Sequence, residues 1–307
     1  MQCEDEGAPS EGGCRKSKMQ KVLLSWTSAE EQVEKGVSLL AYIEILRPSV
    51  VGLGAFGVLV GAVLSGFTGP FEIALAMLAV LLIGGAGNAI NDYFDYEIDK
   101  INRPGRPIPA GKIKPQNALY YAGILFLAGL IISIFLGPSI FYLAVLNSVI
   151  EVLYSWRFKG VALIGNFFPS WLAASTFILG ALLSGSINAT VLLISMMAFL
   201  ANTGREIAKA IEDVKGDRKA GLKTLPVVFG ERASAFIAML FVLFAIILST
   251  LPFVLGLLNI WYLLLIIAAD LLFAGACFLV FIKPGKAQRL MKVCMFITVL
   301  AFLIGIL

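Results

Sequence analysis

Acidic side chains at helical spacing occur in two segments of this 307-residue chain, and the first contains Asn88, Asn91, Asp92, Asp95 and Asp99. Residues four apart on an α-helix lie on one face, about 6 Å apart along the axis, so these side chains would form one stripe of oxygens. Like charges at this spacing destabilise a helix unless a cation compensates for them. The first segment therefore predicts a helix face that binds a cation.

The second segment repeats this pattern, because the same spacing puts Asn202, Glu206, Lys209, Asp213 and Asp217 on one helix face. The chain contains no His, so oxygen ligands and hence Mg²⁺, Mn²⁺ or Ca²⁺ are favoured. Mg²⁺ completes its coordination with water and phosphate oxygens, so two acid clusters predict a magnesium diphosphate site. The predicted metal ligands are Asn91, Asp92, Asp95, Asp99, Asp213 and Asp217.

Basic side chains accompany both clusters and would clamp phosphates or stabilise a departing diphosphate. They are Arg103, Arg106 and Lys112 after the first cluster, and Lys215, Arg218, Lys219 and Lys223 around the second. The alternative is that both segments are solvated loops in which acids and bases merely balance. We favour a binding site because the pattern occurs twice, each time at the end of an apolar run on the same side.

The elements that must position these clusters are membrane helices. Hydrophobic residues make up 59% of the chain and charged residues only 14%, and the mean hydropathy is +0.90. Long apolar runs of the kind that span a bilayer predict an all-α polytopic membrane protein with about nine transmembrane helices. We expect these helices to surround a central cavity that opens sideways to lipid. The runs cover residues 50–67, 71–90, 118–136, 140–153, 161–183, 189–200, 233–254, 260–281 and 293–307. We expect the fourth, sixth and ninth, which are short, to continue into the adjoining polar loops.

The distribution of charge predicts the orientation. Nine spans put all 24 Lys and Arg residues on the side of the N-terminus, so the N-terminus and both Asp-rich loops are expected in the cytoplasm of a cell-membrane protein. Residues 1–36 are polar and lack the pattern of a signal peptide, which predicts a flexible tail before a single transmembrane domain at 37–307. The four cysteines form no CxxC pair, so neither a disulfide framework nor a zinc site is indicated.

The two clusters together resemble the paired Asp-rich motifs of the UbiA superfamily of intramembrane prenyltransferases. The resemblance rests on the first cluster with Arg103 and Arg106-Pro107 behind it, and on Asp213-x-x-x-Asp217. It extends over nearly the whole chain and implies nine helices with both motifs on cytoplasmic loops. The membrane would then supply a long prenyl donor sideways into the cavity.

Within the superfamily, residues 91–111 and 204–217 look most like the archaeal digeranylgeranylglyceryl phosphate synthases. The first stretch is also similar to chlorophyll synthases, so the second carries the subfamily resemblance. It implies geranylgeranyl diphosphate as the donor, geranylgeranylglyceryl phosphate as the acceptor, Mg²⁺ as the cofactor and an ether-lipid precursor as the product. Membrane lipid surrounds the protein, and no nucleic acid is expected as a partner.

The stretch from Tyr154 to Lys159 is similar to the Tyr-and-Lys element of the same superfamily. Arg157 within it fits an interfacial anchor equally well, and Arg47 before the first span has the same ambiguity. Glu151 is one helical turn before Tyr154, so this intramembrane acid is expected near the pocket. The predicted catalytic residues are Asp95, Asp213, Lys159, Tyr154 and Glu151. The residues predicted to bind the diphosphate or an acceptor phosphate are Arg47, Asn88, Arg103, Arg106, Arg157, Arg205, Lys209 and Lys215.

The expected chemistry is metal-assisted departure of diphosphate, shielding of the allylic carbocation by apolar walls, and capture by the acceptor. Without a His, a carboxylate or the diphosphate itself must take the acceptor proton, and the sequence leaves this choice open. One alternative is a prenyltransferase with an aromatic or chlorin acceptor. Another is a cation-coupled transporter, which the surface location of the acids disfavours. Asp270 is mid-span near no motif, and an interhelical hydrogen bond is the role expected for it.

Overall fold

The computed structural model describes residues 39–306 and consists of helices joined by short loops, with no β-strand in that range. The predicted tail at 1–36 lies outside the described residues. The helices of the first half are α1 (Leu39–Ile45), α2 (Pro48–Leu64), α3 (Pro70–Phe94), α4 (Tyr96–Asn102), α5 (Pro115–Leu136) and α6 (Pro138–Trp156). The second half contains α7 (Ile164–Ala181), α8 (Ala189–Lys219), α9 (Leu225–Phe229), α10 (Glu231–Ser249), α11 (Leu251–Val254), α12 (Ile260–Val280) and α13 (Pro284–Ile306).

The prediction of a polytopic all-α membrane protein is confirmed. Eight helices in the described range are long and apolar enough to cross a membrane, and the number is nine when the bent pair α1 and α2 is counted as one span. Each coincides with one predicted run. Proline is the first residue of α2, α3, α5, α6 and α13, because its missing N–H would be unpaired there in any case.

The helix α8 is 31 residues long and extends well past the apolar run 189–200 that predicted it. Its apolar first half crosses the membrane, and its polar second half carries the second acid cluster as far as Lys219. The fourth and ninth runs are likewise parts of longer helices, α6 and α13. The expectation that short runs continue into polar sequence is therefore confirmed.

A sharp break separates α1 from α2, whose axes differ in direction by 55°. The turn depends on Arg47, a non-glycine residue in the left-handed region with φ of 53°. Pro48 follows and cannot continue the hydrogen-bond ladder of α1. The break points the Arg47 side chain toward the first acid cluster, so the strained residue is also a site residue.

Close helix packing depends on small residues, as expected where lipid gives helices no hydrophobic reason to associate. A Cβ atom at Gly61 of α2 would collide with the backbone of Phe177 in α7, and one at Gly180 of α7 with the backbone of Val58. The crossing of α2 and α7 therefore requires glycine on both sides. Large apolar side chains on the outer faces are exposed, as lipid contact requires.

Candidate active site

The first acid cluster occupies the end of α3 and all of α4. Asp95 lies at the junction, but its N–H bonds the carbonyl of Asn91, and the N–H of Asp99 bonds the carbonyl of Asp95. These i to i−4 bonds preserve helical register through the break, so the predicted stripe exists. Asn91, Asp92, Asp95 and Asp99 are all buried, which is unusual for aspartates and requires partners.

Arginines neutralise two of these carboxylates. Asp92 accepts from Arg47 at the break before α2 and from Arg106 in the loop after α4, the latter at 3.1 Å. Arg106 also donates to Asp99. Burial raises the pKa of Asp99, and the neighbouring carboxylates of Asp95 and Asp92 add to this, while Arg106 and Lys159 oppose it. The loop arginine thus binds the first cluster at two points.

Asp95 accepts from Lys159, which belongs to the short 3₁₀ turn Phe158–Gly160, and from the Asn91 amide at 2.9 Å. Burial on its own would lower the pKa of the Lys159 ammonium, but the carboxylates of Asp95 and Asp99 outweigh it, so this pKa is raised. Lys159 is therefore a cation at neutral pH.

The two clusters meet through the loop after α4. Arg103 donates from Nη2 to both carboxylate oxygens of Asp213, at 2.9 and 3.1 Å, and the Asn102 amide donates to the Asp213 carbonyl at 3.2 Å. The side chain of Asn102 fills the space beside Gly216, where a Cβ atom would collide with it. The sequence expectation that both clusters serve one site is consistent with this convergence.

Further along α8, toward its apolar half, Glu206 is buried and accepts from its neighbour Arg205 and from Lys209, the latter at 3.0 Å. Arg205 also donates to the Asn202 amide oxygen at 3.1 Å. One face of α8 therefore presents an acid held between two bases. Glu206 and Asn202 were noted on this face but not among the predicted site residues, although their spacing already indicated them.

A cavity of about 560 Å³ extends from these charged groups into the bundle. Its polar end includes Arg47, Asn91, Asp92, Arg106 and Glu206. Its apolar end is formed by side chains of several helices, among them Val51, Leu172, Phe177, Ile266, Phe273 and Phe302. This is a space with a charged head and an apolar body, and its volume lies within the range of about 300–1,000 Å³ that is typical of small-molecule pockets.

A second, smaller cavity lies beside the first, and Tyr154, Glu206 and Lys209 line both. Lys159, Asp213 and Asp217 line only the smaller one. The structure therefore brings the predicted Tyr-and-Lys element next to the second acid cluster.

Sequence comparison decides the family. The model of the UbiA prenyltransferase family matches residues 54–300. The chain belongs to the UbiA prenyltransferase family. It is a prenyltransferase.

Relatives and solved structures agree with this membership. The chain is 40% identical to the digeranylgeranylglyceryl phosphate synthase of Methanopyrus kandleri, over 87% of this chain and 99% of the relative. It is also 40% identical to the enzyme of the same name from Pyrococcus horikoshii, over 87% and 97%. A structure solved in a study of digeranylgeranylglyceryl phosphate synthase in membranes is 35% identical, with a TM-score of 0.68 over 87% of this chain and 98% of that one.

A more distant UbiA homologue from Archaeoglobus fulgidus, solved with GPP and Mg²⁺ bound, has the same fold. Its TM-score is 0.64 at 22% identity, and the match covers 84% of this chain and 99% of that one.

The oxygen-rich site of this UbiA chain suits a hard divalent cation. Within residues 39–306, no three acidic or Cys side chains lie close enough together to form a ready-made metal cage. Arg and Lys side chains are bonded to Asp92, Asp95, Asp99 and Asp213. The Asn91 Oδ1 atom, however, is buried and accepts no hydrogen bond from the part of the chain that the structure describes. A buried acceptor left unpaired among carboxylates is what a cation with oxygen ligands would satisfy.

Three predicted site residues take positions outside this network. Arg157 and Lys215 are exposed and line neither cavity. Trp156 beside Arg157 is 58% exposed, which favours an interfacial anchor at this point. Asn88 lines the larger cavity, but its amide donates to the Leu46 carbonyl at 3.0 Å and so fixes the break before α2.

The structure confirms the role predicted for one further residue and shows three cavity-lining residues that the sequence analysis did not predict. Asp270 accepts from Ser249 of α10 at 2.6 Å, which is the interhelical hydrogen bond that the sequence predicts. The sequence analysis missed the first turns of α13, where Gln288, Arg289 and Lys292 line the large cavity. Their three- and four-residue spacing on one helix face was the available signal.

Proposed function

We propose that this enzyme transfers the geranylgeranyl group of geranylgeranyl diphosphate to geranylgeranylglyceryl phosphate and so makes a precursor of archaeal ether lipids. The observation that carries the proposal is the meeting of two acid clusters and their bases at the head of an apolar cavity. A prenyl diphosphate likewise has a charged head and a long apolar tail, so its shape matches that of the cavity. The acceptor is proposed from the two archaeal relatives, which are 40% identical.

The bases of the site would bind the donor diphosphate. Arg47, Arg106 and Lys159 each have an acid partner now, and each carries positively charged N–H groups that can donate hydrogen bonds to phosphate oxygens. Charge grows on the diphosphate as its bond to the allylic carbon breaks, and fixed cations stabilise that charge without reorganisation. Arg103 would hold the second cluster in register with the first through Asp213.

The ligands proposed for Mg²⁺ are Asn91, Asp92, Asp95 and Asp99 on the first cluster with Asp213 and Asp217 on the second. When bound, the ion supplies positive charge that ties down the diphosphate and stabilises it as a leaving group. The carboxylates would take up the ion as their present basic partners turn to the phosphates. Exchange of partners within a buried polar network avoids leaving any charge unpaired.

The apolar end of the cavity would bind the prenyl chain and exclude water from the allylic cation. Phe177, Phe273 and Phe302 line this part of the cavity and would contact the prenyl chain. Exclusion of water matters because water would capture the cation and yield a prenyl alcohol instead of an ether.

The acceptor carries a phosphate that needs its own cation. Arg205 and Lys209 line the large cavity one to two turns from the Asp213 cluster, and they are our proposed contacts for that phosphate. We also propose that the N-terminus and both Asp-rich loops face the cytoplasm, because every Lys and Arg lies on that side of the nine spans.

Prenyl transfer by the purified protein tests the proposal directly. The assay contains Mg²⁺, geranylgeranyl diphosphate and either geranylgeranylglyceryl phosphate or a hydroxybenzoate, and Asp95→Ala and Asp213→Ala serve as inactive controls. Ether formed with the glyceryl phosphate alone, and lost in both variants, is the expected result. Product with the aromatic acceptor alone would overturn the acceptor assignment but keep the chemistry. A wild-type protein that releases no diphosphate in the presence of metal would overturn the proposal.

A further inference from the structure

One carboxylate in the large cavity differs from the rest in having no partner. Five carboxylates line this cavity, and four are engaged: Glu44 with Lys112, Asp92 with Arg47 and Arg106, Glu206 with Arg205 and Lys209, and Asp270 with Ser249. Among the described residues, Glu151 makes no hydrogen bond and no ion pair. An unpaired carboxylate between membrane helices is costly, so its position calls for a functional reason.

The position of Glu151 is fixed by the packing of α6 against α3. Its carboxyl group fills the space beside Gly87, where a Cβ atom would collide with it. Gly87 is one helical turn before Asn91, so the carboxyl lies one turn below the first acid cluster, toward the apolar part of the cavity. The allylic carbon of a donor whose diphosphate binds the cluster would be at this level.

The charged groups that face Glu151 come from two other elements. Arg47 lies at the break before α2, and Glu206 and Lys209 belong to α8. On its own helix, Tyr154 follows one turn later. Arg47 and Lys209 offset the negative charge of Glu206 beside it, and no donor among the described residues occupies the Glu151 oxygens. Glu151 is thus available to a group that arrives with the substrate.

We propose that Glu151 is the general base that takes the hydroxyl proton of the alcohol acceptor, an inference that rests on the proposed function. The donor C–O bond breaks, and its electron pair leaves with the diphosphate. The acceptor hydroxyl oxygen supplies the pair for the new ether C–O bond, and its proton passes to the Glu151 carboxylate, which becomes a neutral carboxylic acid. Loss of that proton to the departing diphosphate or to water restores the base.

Other candidates for this proton are less suitable. The acids of the first cluster are bound to Arg or Lys and would bind the metal ion, and Glu206 lies between two bases. The leaving diphosphate is the remaining rival, since it is released close to the acceptor. The two alternatives differ in what removal of the Glu151 carboxylate does.

The substitution Glu151→Gln keeps the size of the side chain and removes its ability to accept a proton. We expect ether formation to fall about 100-fold, in line with the loss of a general base. Release of diphosphate should persist because the donor site is intact, with the donor KM within about twofold of wild type. Radiolabelled donor would then appear as prenyl alcohol instead of ether. In wild type, the rate of ether formation should fall as the pH is lowered, because the Glu151 carboxylate becomes protonated. The residual rate of Glu151→Gln should not show this fall.

A second variant keeps the carboxylate and moves it. Gly87→Ala forces the Glu151 side chain away from its present position, and we expect the same shift from ether to prenyl alcohol. Glu151→Asp should restore part of the ether yield, and Glu97→Gln, on the exposed side of α4, should behave as wild type. Melting temperature and gel filtration in detergent establish that each variant is folded.

The inference is overturned by a folded Glu151→Gln variant that forms ether within about threefold of wild type, since the diphosphate would then be the base. It is equally overturned where diphosphate release and ether formation fall together, because Glu151 would then serve donor binding or packing. Should Glu151→Gln not fold, the ether-to-alcohol ratio of Gly87→Ala decides. Failure of the proposed function looks different, because wild type itself would then make no ether from the glyceryl phosphate.

Discussion

Arg103 and Asp213 are 110 residues apart in the chain and are joined by a hydrogen bond of 2.9 Å between Nη2 and a carboxylate oxygen. Both side chains are only partly exposed, so water screens this pair less than a surface ion pair. The bond connects the loop after the first acid cluster to the helix that carries the second. The relative position of the two clusters therefore depends on this guanidinium group together with the Asn102 amide, which donates to the Asp213 carbonyl.

Replacement of this group tests its importance. We expect Arg103→Ala to lower kcat/KM for the donor by about 100-fold, because the two clusters lose their register and a cation is lost from the site. Steady-state assays of diphosphate release give this value. Arg232→Ala is the matched control, since Arg232 is exposed at the start of α10 and lines neither cavity. Equal activity in the two variants would contradict this role.

The metal site is tested at Asn91, whose buried Oδ1 atom lacks a partner while its amide nitrogen donates to Asp95. Asn91→Ala should raise the Mg²⁺ concentration for half-maximal activity by about tenfold, corresponding to about 1.4 kcal/mol of lost binding. Titration of the chelator-treated enzyme with Mg²⁺ measures this, and wild type without added metal should be inactive. An unchanged Mg²⁺ requirement would remove Asn91 from the ligand set.

Replacement of Lys159 should change metal binding and turnover in opposite directions. Its ammonium is bonded to Asp95 and, with its raised pKa, keeps its proton throughout the range from pH 6 to 9. In Lys159→Met, Mn²⁺ should bind the donor-free enzyme more tightly, because the ion no longer competes with an ammonium for Asp95. Turnover should nevertheless fall by about tenfold or more, because the diphosphate loses a cation. Calorimetric Mn²⁺ titration and turnover measure the two effects, and weaker Mn²⁺ binding would contradict the competition.

Helix packing supplies a prediction that concerns stability alone. Gly180→Ala should destabilise the protein by about 1–3 kcal/mol, because the added methyl group meets the backbone of α2 at Val58. Gly123→Ala is the control, since a Cβ atom there meets nothing within 4 Å and alanine favours a helix. Melting temperatures in one detergent should be lowered for the first variant and equal or raised for the second.

Much of the fold was predictable because hydropathy and charge report it directly. Each of the nine predicted runs coincides with an observed span, and the long extension of α8 follows from the polar helical pattern after residue 200. The convergence of Arg103 on Asp213 was not predictable in detail, because no local pattern specifies which helices are neighbours. Spacing along one helix identified both acid clusters, but the pairing between them is a long-range property.

The sequence was least informative where a residue could be either an interfacial anchor or part of the site. Arg47 and Arg157 each flank a span and fit an interfacial anchor equally well, yet only Arg47 bonds an acid of the first cluster. The difference arises from the break before α2, which the sequence indicated only through Pro48. Gln288, Arg289 and Lys292 were missed because the cavity reaches them only through the tertiary packing of α13.

The internal pairing of acids with bases has a consequence for how the donor is captured. In the substrate-free enzyme, Asp92, Asp95, Asp99 and Asp213 already have Arg or Lys counter-ions, so these carboxylates do not present a bare negative charge that would repel the donor diphosphate. The prenyl tail of the donor resides in the bilayer, so partition from the membrane brings it to the cavity. The composition of the surrounding lipid thereby becomes a determinant of the rate.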